Sequence, residues 1–311
     1  MIFIVIACQT EEYIEQVSLQ PVEEPSQYTV EESWTEEAEE TIAFDLGSIE
    51  NSINDILPKI RSYNSAPILT SYADVMTYAD SYCPSSYEQD GSSFWYGQCE
   101  SSAGMSYNGY LFYNTYADMD FFGDGGVWDV IVVSGVTDMV YPSTNKRVHW
   151  GGDAYLAEGV SPDGYPVYFS LLNGSFWDQN QGGWISEGYN SNLMLYGIKF
   201  AQEEVTSNAL YIQGSLNVAG ASVSALSFSG LLFYPSLIGF PCEIEPLGTL
   251  SVRTKEGYWL DIAFDVEDDW TMSGECDGCG TAYHNGTEIG EICIDNSSLI
   301  DWEERPWSIS Y

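Results

Sequence analysis

The sequence predicts a mainly β protein: an antiparallel, multi-stranded sandwich, barrel or large curved sheet, with a short N-terminal helical segment. Three observations carry this. Beyond Cys83, short apolar and aromatic runs alternate with Gly, Asn-Gly and Asp-Gly. Such runs, with turn signals roughly every ten residues, are the pattern of all-β architectures. Several runs also alternate apolar and polar residues with the period of two of a half-buried strand.

Taken in chain order, helical spacing comes first. From Leu46 to Arg61, Ile49, Ile53, Ile56, Leu57 and Ile60 recur on one face, and Pro58 disturbs the last turn. A second helix is expected from Leu69 to Ser81, with Tyr72, Val75, Met76 and Ala79 on one side and Pro84 blocking extension. Hairpins follow. Asn108-Gly109, Asn173-Gly174 and Asn285-Gly286 each sit between strand-like runs, and Asn-Gly supplies the positive φ that a tight hairpin turn needs at both central positions. Further turns are expected at Asp163-Gly164 and Lys255-Glu256-Gly257, the latter joining 249–253 to 258–264. An internal echo links Trp95–Cys99, Gly104 and Tyr107-Asn108-Gly109 to Trp270, Cys276, Gly280 and Tyr283-His284-Asn285-Gly286. It reads as two equivalent β-units, with chance similarity in a Gly/Tyr-rich chain as the competing explanation.

Composition narrows the function. The 311 residues carry 47 acidic and 8 basic side chains, a formal net charge of −39. Nucleic acid is excluded as an electrostatic partner, because phosphate binding requires Lys and Arg. Attraction to an anionic lipid surface fails for the same reason. No run of 18 apolar residues is present to span a membrane as a helix. Residues 9–58 contain fourteen acids and no Lys or Arg, and Pro21 and Pro25 interrupt any helix there. Like charges this dense extend a chain, so residues 9–45 read as a disordered acidic stalk, about 120 Å long if fully drawn out, with an acidic helix folded back on the domain as the competing reading. The remainder still holds 33 acids, which fits solubility, collection of divalent cations or a saline habitat.

The first residues suggest where the protein resides. Met1–Ile6 are apolar, and Ala7 and Cys8 follow. Val5-Ile6-Ala7-Cys8 resembles the bacterial lipobox, in which a peptidase cuts before the cysteine and the thiol takes a lipid. No Lys or Arg precedes this short run, a departure from the pattern that an upstream start codon would explain. The competing reading is an N-terminal strand with Cys8 buried. The resemblance implies export, lipid attachment at Cys8 and a membrane partner reached through the anchor. Gln9, where an Asp tends to retain such proteins at the inner membrane, implies the outer membrane. The W-x-G-x-C segment at 95–99 and the C-D-G-C-G segment at 276–280 resemble those of uncharacterised predicted lipoproteins of myxobacterium-like bacteria. The domain plan is then 1–8 signal remnant and lipid-attachment cysteine, 9–45 stalk, 46–82 helical lead-in, and 83–311 disulfide-bonded β-rich domain.

Setting Cys8 aside, six cysteines remain in a chain expected to be exported, an even number that suits disulfides. Cys83 and Cys99 are close in sequence and far from the rest, so they are paired. Cys242, Cys276, Cys279 and Cys293 supply two more bridges of undetermined connectivity. Cys276-Asp277-Gly278-Cys279 also admits a zinc site, with His284 as a substitute ligand, or a redox pair. A zinc site of this kind normally has a second C-x-x-C, and Asp-Gly predicts a turn rather than the helix start a redox pair needs.

Catalytic options are few. With two histidines, His149 and His284, any Ser-His-Asp or Cys-His arrangement must use one of them, and no nucleophile elbow, zincin, P-loop or dinucleotide motif is present. Lys146–Asp153 mixes Lys146, Arg147, His149 and Asp153, and reads either as an anion site or as a loop paired with surrounding acids. Asp118, Asp120 and Asp124 form the best Ca²⁺ candidate, although their spacing is not that of an EF-hand; Glu267, Asp268 and Asp269 form a second acidic cluster. For both, a solvated turn is the simpler reading. The Trp and Tyr content invites glycan binding, but Trp95, Trp128, Trp150, Trp177, Trp184 and Trp259 are expected mainly in the core. The expected function is a cell-envelope lipoprotein presenting a binding or structural domain without catalysis, its envelope-protein or glycan partner unspecified. The alternative is a secreted or surface glycan-acting hydrolase or carbohydrate-binding protein, with Ca²⁺ as its cofactor if it has one.

Overall fold

A computed structural model of the chain describes residues 42–60, 77–89, 92–142, 146–179, 185–202, 205–218, 223–234, 240 and 242–300. Cys8, most of the acidic stalk, most of the second expected helix and Trp184 lie outside these residues.

Helix α1, Leu46–Ile56, forms where the isoleucine spacing places it. Its N-cap is Asp45, whose Oδ1 accepts the Ser48 N–H at 3.1 Å. Leu57–Lys59 continue as a 3₁₀ turn containing Pro58. Thirteen strands follow: β1 Ser85–Gln89, β2 Ser92–Glu100, β3 Ser106–Met119, β4 Val127–Val140, β5 Arg147–Val160, β6 Pro166–Gln179, β7 Ile185–Gln202, β8 Val205–Val218, β9 Val223–Phe233, β10 Leu247–Thr254, β11 Trp259–Phe264, β12 Cys279–His284 and β13 Thr287–Cys293. A short helix α2, Ser297–Ile300, closes the described chain. Each strand pairs antiparallel with its sequence neighbours in one sheet that runs in order from β1 to β13. Of the three architectures the sequence allowed, a single open sheet is the one formed.

The turns explain this simple order. Three hairpins use one device: Ser101–Met105, Ser161–Tyr165 and Thr254–Tyr258. In each, the first residue's N–H donates to the fifth carbonyl, the fourth N–H donates to the first carbonyl, and the fifth N–H donates to the first residue's hydroxyl. The fourth residue is a glycine with φ of 82°, 86° or 98°, the left-handed position of a three-residue hairpin loop. Asp163-Gly164 and Lys255-Glu256-Gly257 therefore turn as expected, and so do Asn285 and Gly286, with φ of 50° and 77°.

The other two Asn-Gly pairs do not turn. Asn108-Gly109 lies within β3, opposite Asp138 and Thr137, and Asn173-Gly174 lies within β6, opposite Asp153 and Gly152. The glycines serve close backbone approach instead. A Cβ on Gly109 would strike the Val136 carbonyl oxygen, and one on Gly152 would strike that of Asn173. The internal echo dissolves as well: Cys99 is in β2 opposite Tyr107, whereas Cys276 precedes β12, and Trp95 is buried while Trp270 is an exposed turn residue.

One face of the sheet carries the main core. Ile53, Ile56, Leu57 and Ile60 join Val133, Met139, Trp150, Leu156, Leu193, Ile212, Phe228, Val252 and Ile262 there. The helical lead-in is thus part of the same compact unit as the sheet, which begins at Phe44. A smaller cluster, Trp128, Val130, Ala157, Val167 and Phe169, lies on the opposite face of β4–β6. Trp95, Trp128 and Trp150 are buried as expected, Trp177 is half-buried, and Trp259 is 45% exposed. α1 also caps the C-terminal end of the free edge of β13. Glu50 accepts the Cys293 N–H at 2.9 Å, and Asn54 accepts the Asp295 N–H at 2.9 Å and donates to the Cys293 carbonyl at 3.2 Å. Those groups would otherwise be open to edge-to-edge pairing.

Candidate functional site

The six body cysteines close three disulfides: Cys83–Cys99, Cys242–Cys276 and Cys279–Cys293. The first pairing is the one spacing implied. The other two split the C-x-x-C, because the Asp277-Gly278 turn sends Cys276 back to Cys242 while Cys279 enters β12 directly opposite Cys293 on β13. Zinc and dithiol readings of that motif give way to bridges. Among the described residues, the one group of three potential metal donors with ligand atoms within 4.8 Å of each other is Cys279, Glu291 and Cys293, and two of its members are already joined as a disulfide.

Near the first bridge, Asp80 acts as a staple. One carboxylate oxygen accepts the Ser102 N–H at 2.6 Å, and the other accepts those of Tyr82 and Cys83 at 2.8 and 2.9 Å. These bonds, Ser102's foremost, hold its pKa at about 2 rather than 3.8.

Glu245 is the residue that sequence reasoning missed. It is 0% exposed, and one oxygen accepts the Asp277 and Gly278 N–H groups at 2.8 and 2.9 Å while the other accepts the Asp265 N–H at 3.3 Å. A buried carboxylate thus shapes the turn inside the C-x-x-C. Its only local sign in the sequence is an acid flanked by Ile244 and Pro246 near a cysteine.

The Lys146–Asp153 run is largely strand β5, not a loop. Register places His149 opposite Asp138 on β4 and Trp177 on β6. One Asp138 oxygen lies 3.1 Å from both the Arg147 guanidinium and His149 Nδ1. Trp177 stacks on the His149 ring at 4.9 Å and 14°, and the Arg147 guanidinium sits 5.3 Å from its centroid. Here the basic charge is answered by an acid across the strand pair, as the second of the two readings expected. Asp153 accepts from the Ser134 hydroxyl.

Asp118, Asp120 and Asp124 lie at the β3 end and in the β3–β4 loop, all exposed. They are not gathered into one three-carboxylate cluster within the 4.8 Å spacing. Asp120 accepts the Gly125 N–H at 3.2 Å and Asp124 that of Gly126 at 2.8 Å, while Asp118 donates its N–H to Asp129 at 3.2 Å. This folding carries Phe121 and Phe122 onto the smaller core, with Phe122 edge-on to Trp128 at 4.9 Å and to Phe169 at 5.2 Å. Burial, aided by the Asp124 charge, raises the Tyr196 phenol pKa beside them. The acidic trio Glu267, Asp268 and Asp269 occupies an exposed turn. There the Thr271 hydroxyl and N–H hold the Asp269 pKa low.

Comparison with known proteins returned no matching family model, no matching curated protein and no matching solved structure.

Proposed function

We propose that the chain is an exported, lipid-anchored protein of the cell envelope, at the outer membrane. In this reading the lipid sits on Cys8, residues 9–45 are an acidic tether, and the sheet is a binding or structural domain without catalysis. The supporting observation is the cysteine usage: all six cysteines of the described domain are in disulfides. Bridging this complete belongs to an oxidising compartment. It also leaves Cys8, in its lipobox-like setting, as the one cysteine outside those pairs. The net charge of −39 suits a surface that stays soluble and monomeric at the end of a tether.

Metabolic labelling with a clickable palmitate analogue, with the protein expressed from its own gene and start site, tests this. Wild-type chain should take the label and stay with the membrane fraction, and Cys8→Ser should lose both. Unlabelled, freely soluble wild-type protein would contradict the anchor.

A further inference from the structure

The sheet face opposite the main core carries a patch whose chemistry departs from the rest of this acidic chain. Register aligns Asn173 of β6 with Asn192 of β7 and Ser215 of β8, and aligns Ser175 with Asn190 and Asn217. Gln213 adds a seventh position on the same face of β8. All seven are uncharged amides or hydroxyls, in a chain of formal charge −39. Asn173, Asn190, Asn192, Gln213 and Asn217 are exposed, and both serines are half-buried. Gln213 accepts from the Tyr211 hydroxyl at 3.1 Å. Among the described residues, the other six side chains make no hydrogen bond to the protein.

The row through Asn173, Asn192 and Ser215 continues to Asp153 and Ser134 on one side and to Ser227, Ser251 and Asp261 on the other. At ~4.8 Å per strand this eight-strand row from β4 to β11 is about 33 Å long. Its two carboxylates are held by the hydroxyls of Ser134 and Ser251. Trp177 flanks the patch beyond Ser175 on β6, and Tyr155 flanks it on β5.

The solvated face of an antiparallel sheet is ordinarily polar, with charged residues making up about a quarter to a third of a typical surface. Short amides and hydroxyls instead present donors and acceptors together and lose little rotamer freedom when a ligand docks. The charge balance selects the ligand. A polyanion is repelled by the chain as a whole, and a polycation would seek the carboxylates rather than the amides. A neutral chain of hydroxyl-bearing rings matches the hydrogen-bonding row, which Trp177, already stacked on His149, only borders. We infer that this face binds an extended neutral polysaccharide lying across the strands along the row. The inference names a ligand class for the binding domain proposed above.

The test uses the full 311-residue chain carrying Cys8→Ser, so that no lipid contributes. Native gels containing mixed-linkage β-glucan, xyloglucan, glucomannan or dextran, and pull-down on cellulose and chitin, probe neutral glycans; alginate is the anionic comparator. At least one neutral polysaccharide should retain the protein and alginate should not. Asn173→Ala/Asn192→Ala/Ser215→Ala should weaken retention about tenfold or more with an unchanged melting temperature. Asn190→Phe, which adds bulk to the face without adding charge, is the second probe should the triple variant fold poorly.

No retention by any neutral polysaccharide, equal retention by alginate, or wild-type retention by both variants would overturn the inference. So would a dimer dissolved by the same substitutions, which would assign the face to a second copy of the chain. Palmitate labelling of the wild type is read separately, so retention without labelling removes the anchor alone, and labelling without retention removes the ligand alone.

Discussion

Replacing Glu245 should be among the most damaging single changes in the domain. Its carboxylate is fully buried and holds the Asp277 and Gly278 N–H groups with short bonds and the Asp265 N–H with a longer one. A hydrogen bond to a charged acceptor contributes ~1.5–3 kcal/mol, and each stranded buried N–H costs ~1–3 kcal/mol. Glu245→Ala strands two strong donors and one weak one and opens a small cavity. Offset by relief of the carboxylate's own desolvation, the net loss should be about 3–5 kcal/mol. Glu245→Gln keeps one acceptor oxygen but turns its NH₂ toward either the paired N–H groups or that of Asp265, so it should lose about 2–3 kcal/mol. Urea unfolding of oxidised protein reads both, as a fall in midpoint at constant slope. A loss below about 1 kcal/mol for Glu245→Ala, or equal losses for the two variants, would refute the claim that these three bonds set the turn.

Other expectations follow from the same geometry. The Asp80 pKa is depressed to about 2, so its contribution to stability is complete above its unfolded value near 3.8 and is lost as pH falls through about 2. The shifts at Asp269 and Asp295 have the same sign. Urea midpoints measured from pH 5 to pH 2 should fall, and Asp80→Asn should lower the midpoint at pH 5 while flattening that fall. Replacing Cys83 and Cys99 together by Ser opens a bridge of sequence separation 16 and should cost about 3 kcal/mol, read by the same melts. Gly164→Ala meets no atom within 4 Å but holds φ at +86°, so it should cost about 1–2 kcal/mol from backbone strain alone. Gly164→Asn should cost less.

Much of this fold is legible locally. α1 follows from isoleucine spacing. The hairpins at Asp163-Gly164, Lys255–Gly257 and Asn285-Gly286 follow from turn chemistry, and the Cys83–Cys99 bridge follows from proximity. Asn108-Gly109 and Asn173-Gly174 misled because Asn-Gly reports glycine's freedom, not how it is used. At Gly109 and in the Gly152–Gly174 pairing that freedom admits a neighbouring backbone, a fact about the adjacent strand. Trp259 was readable after all: Leu260 and Ile262 are buried, so strand parity turns Trp259 outward. Glu245 was not readable, since its donors lie 20 to 33 residues away. The amide patch was equally hidden, because it exists only once three registers are known.

The most direct measurement is the intact mass of protein purified from its native membrane fraction, alkylated with and without prior reduction. The account predicts a lipid adduct on Cys8 and six further cysteines that alkylate only after reduction. An unmodified Cys8, or body thiols that alkylate without reductant, would contradict the exported, anchored and disulfide-bonded reading.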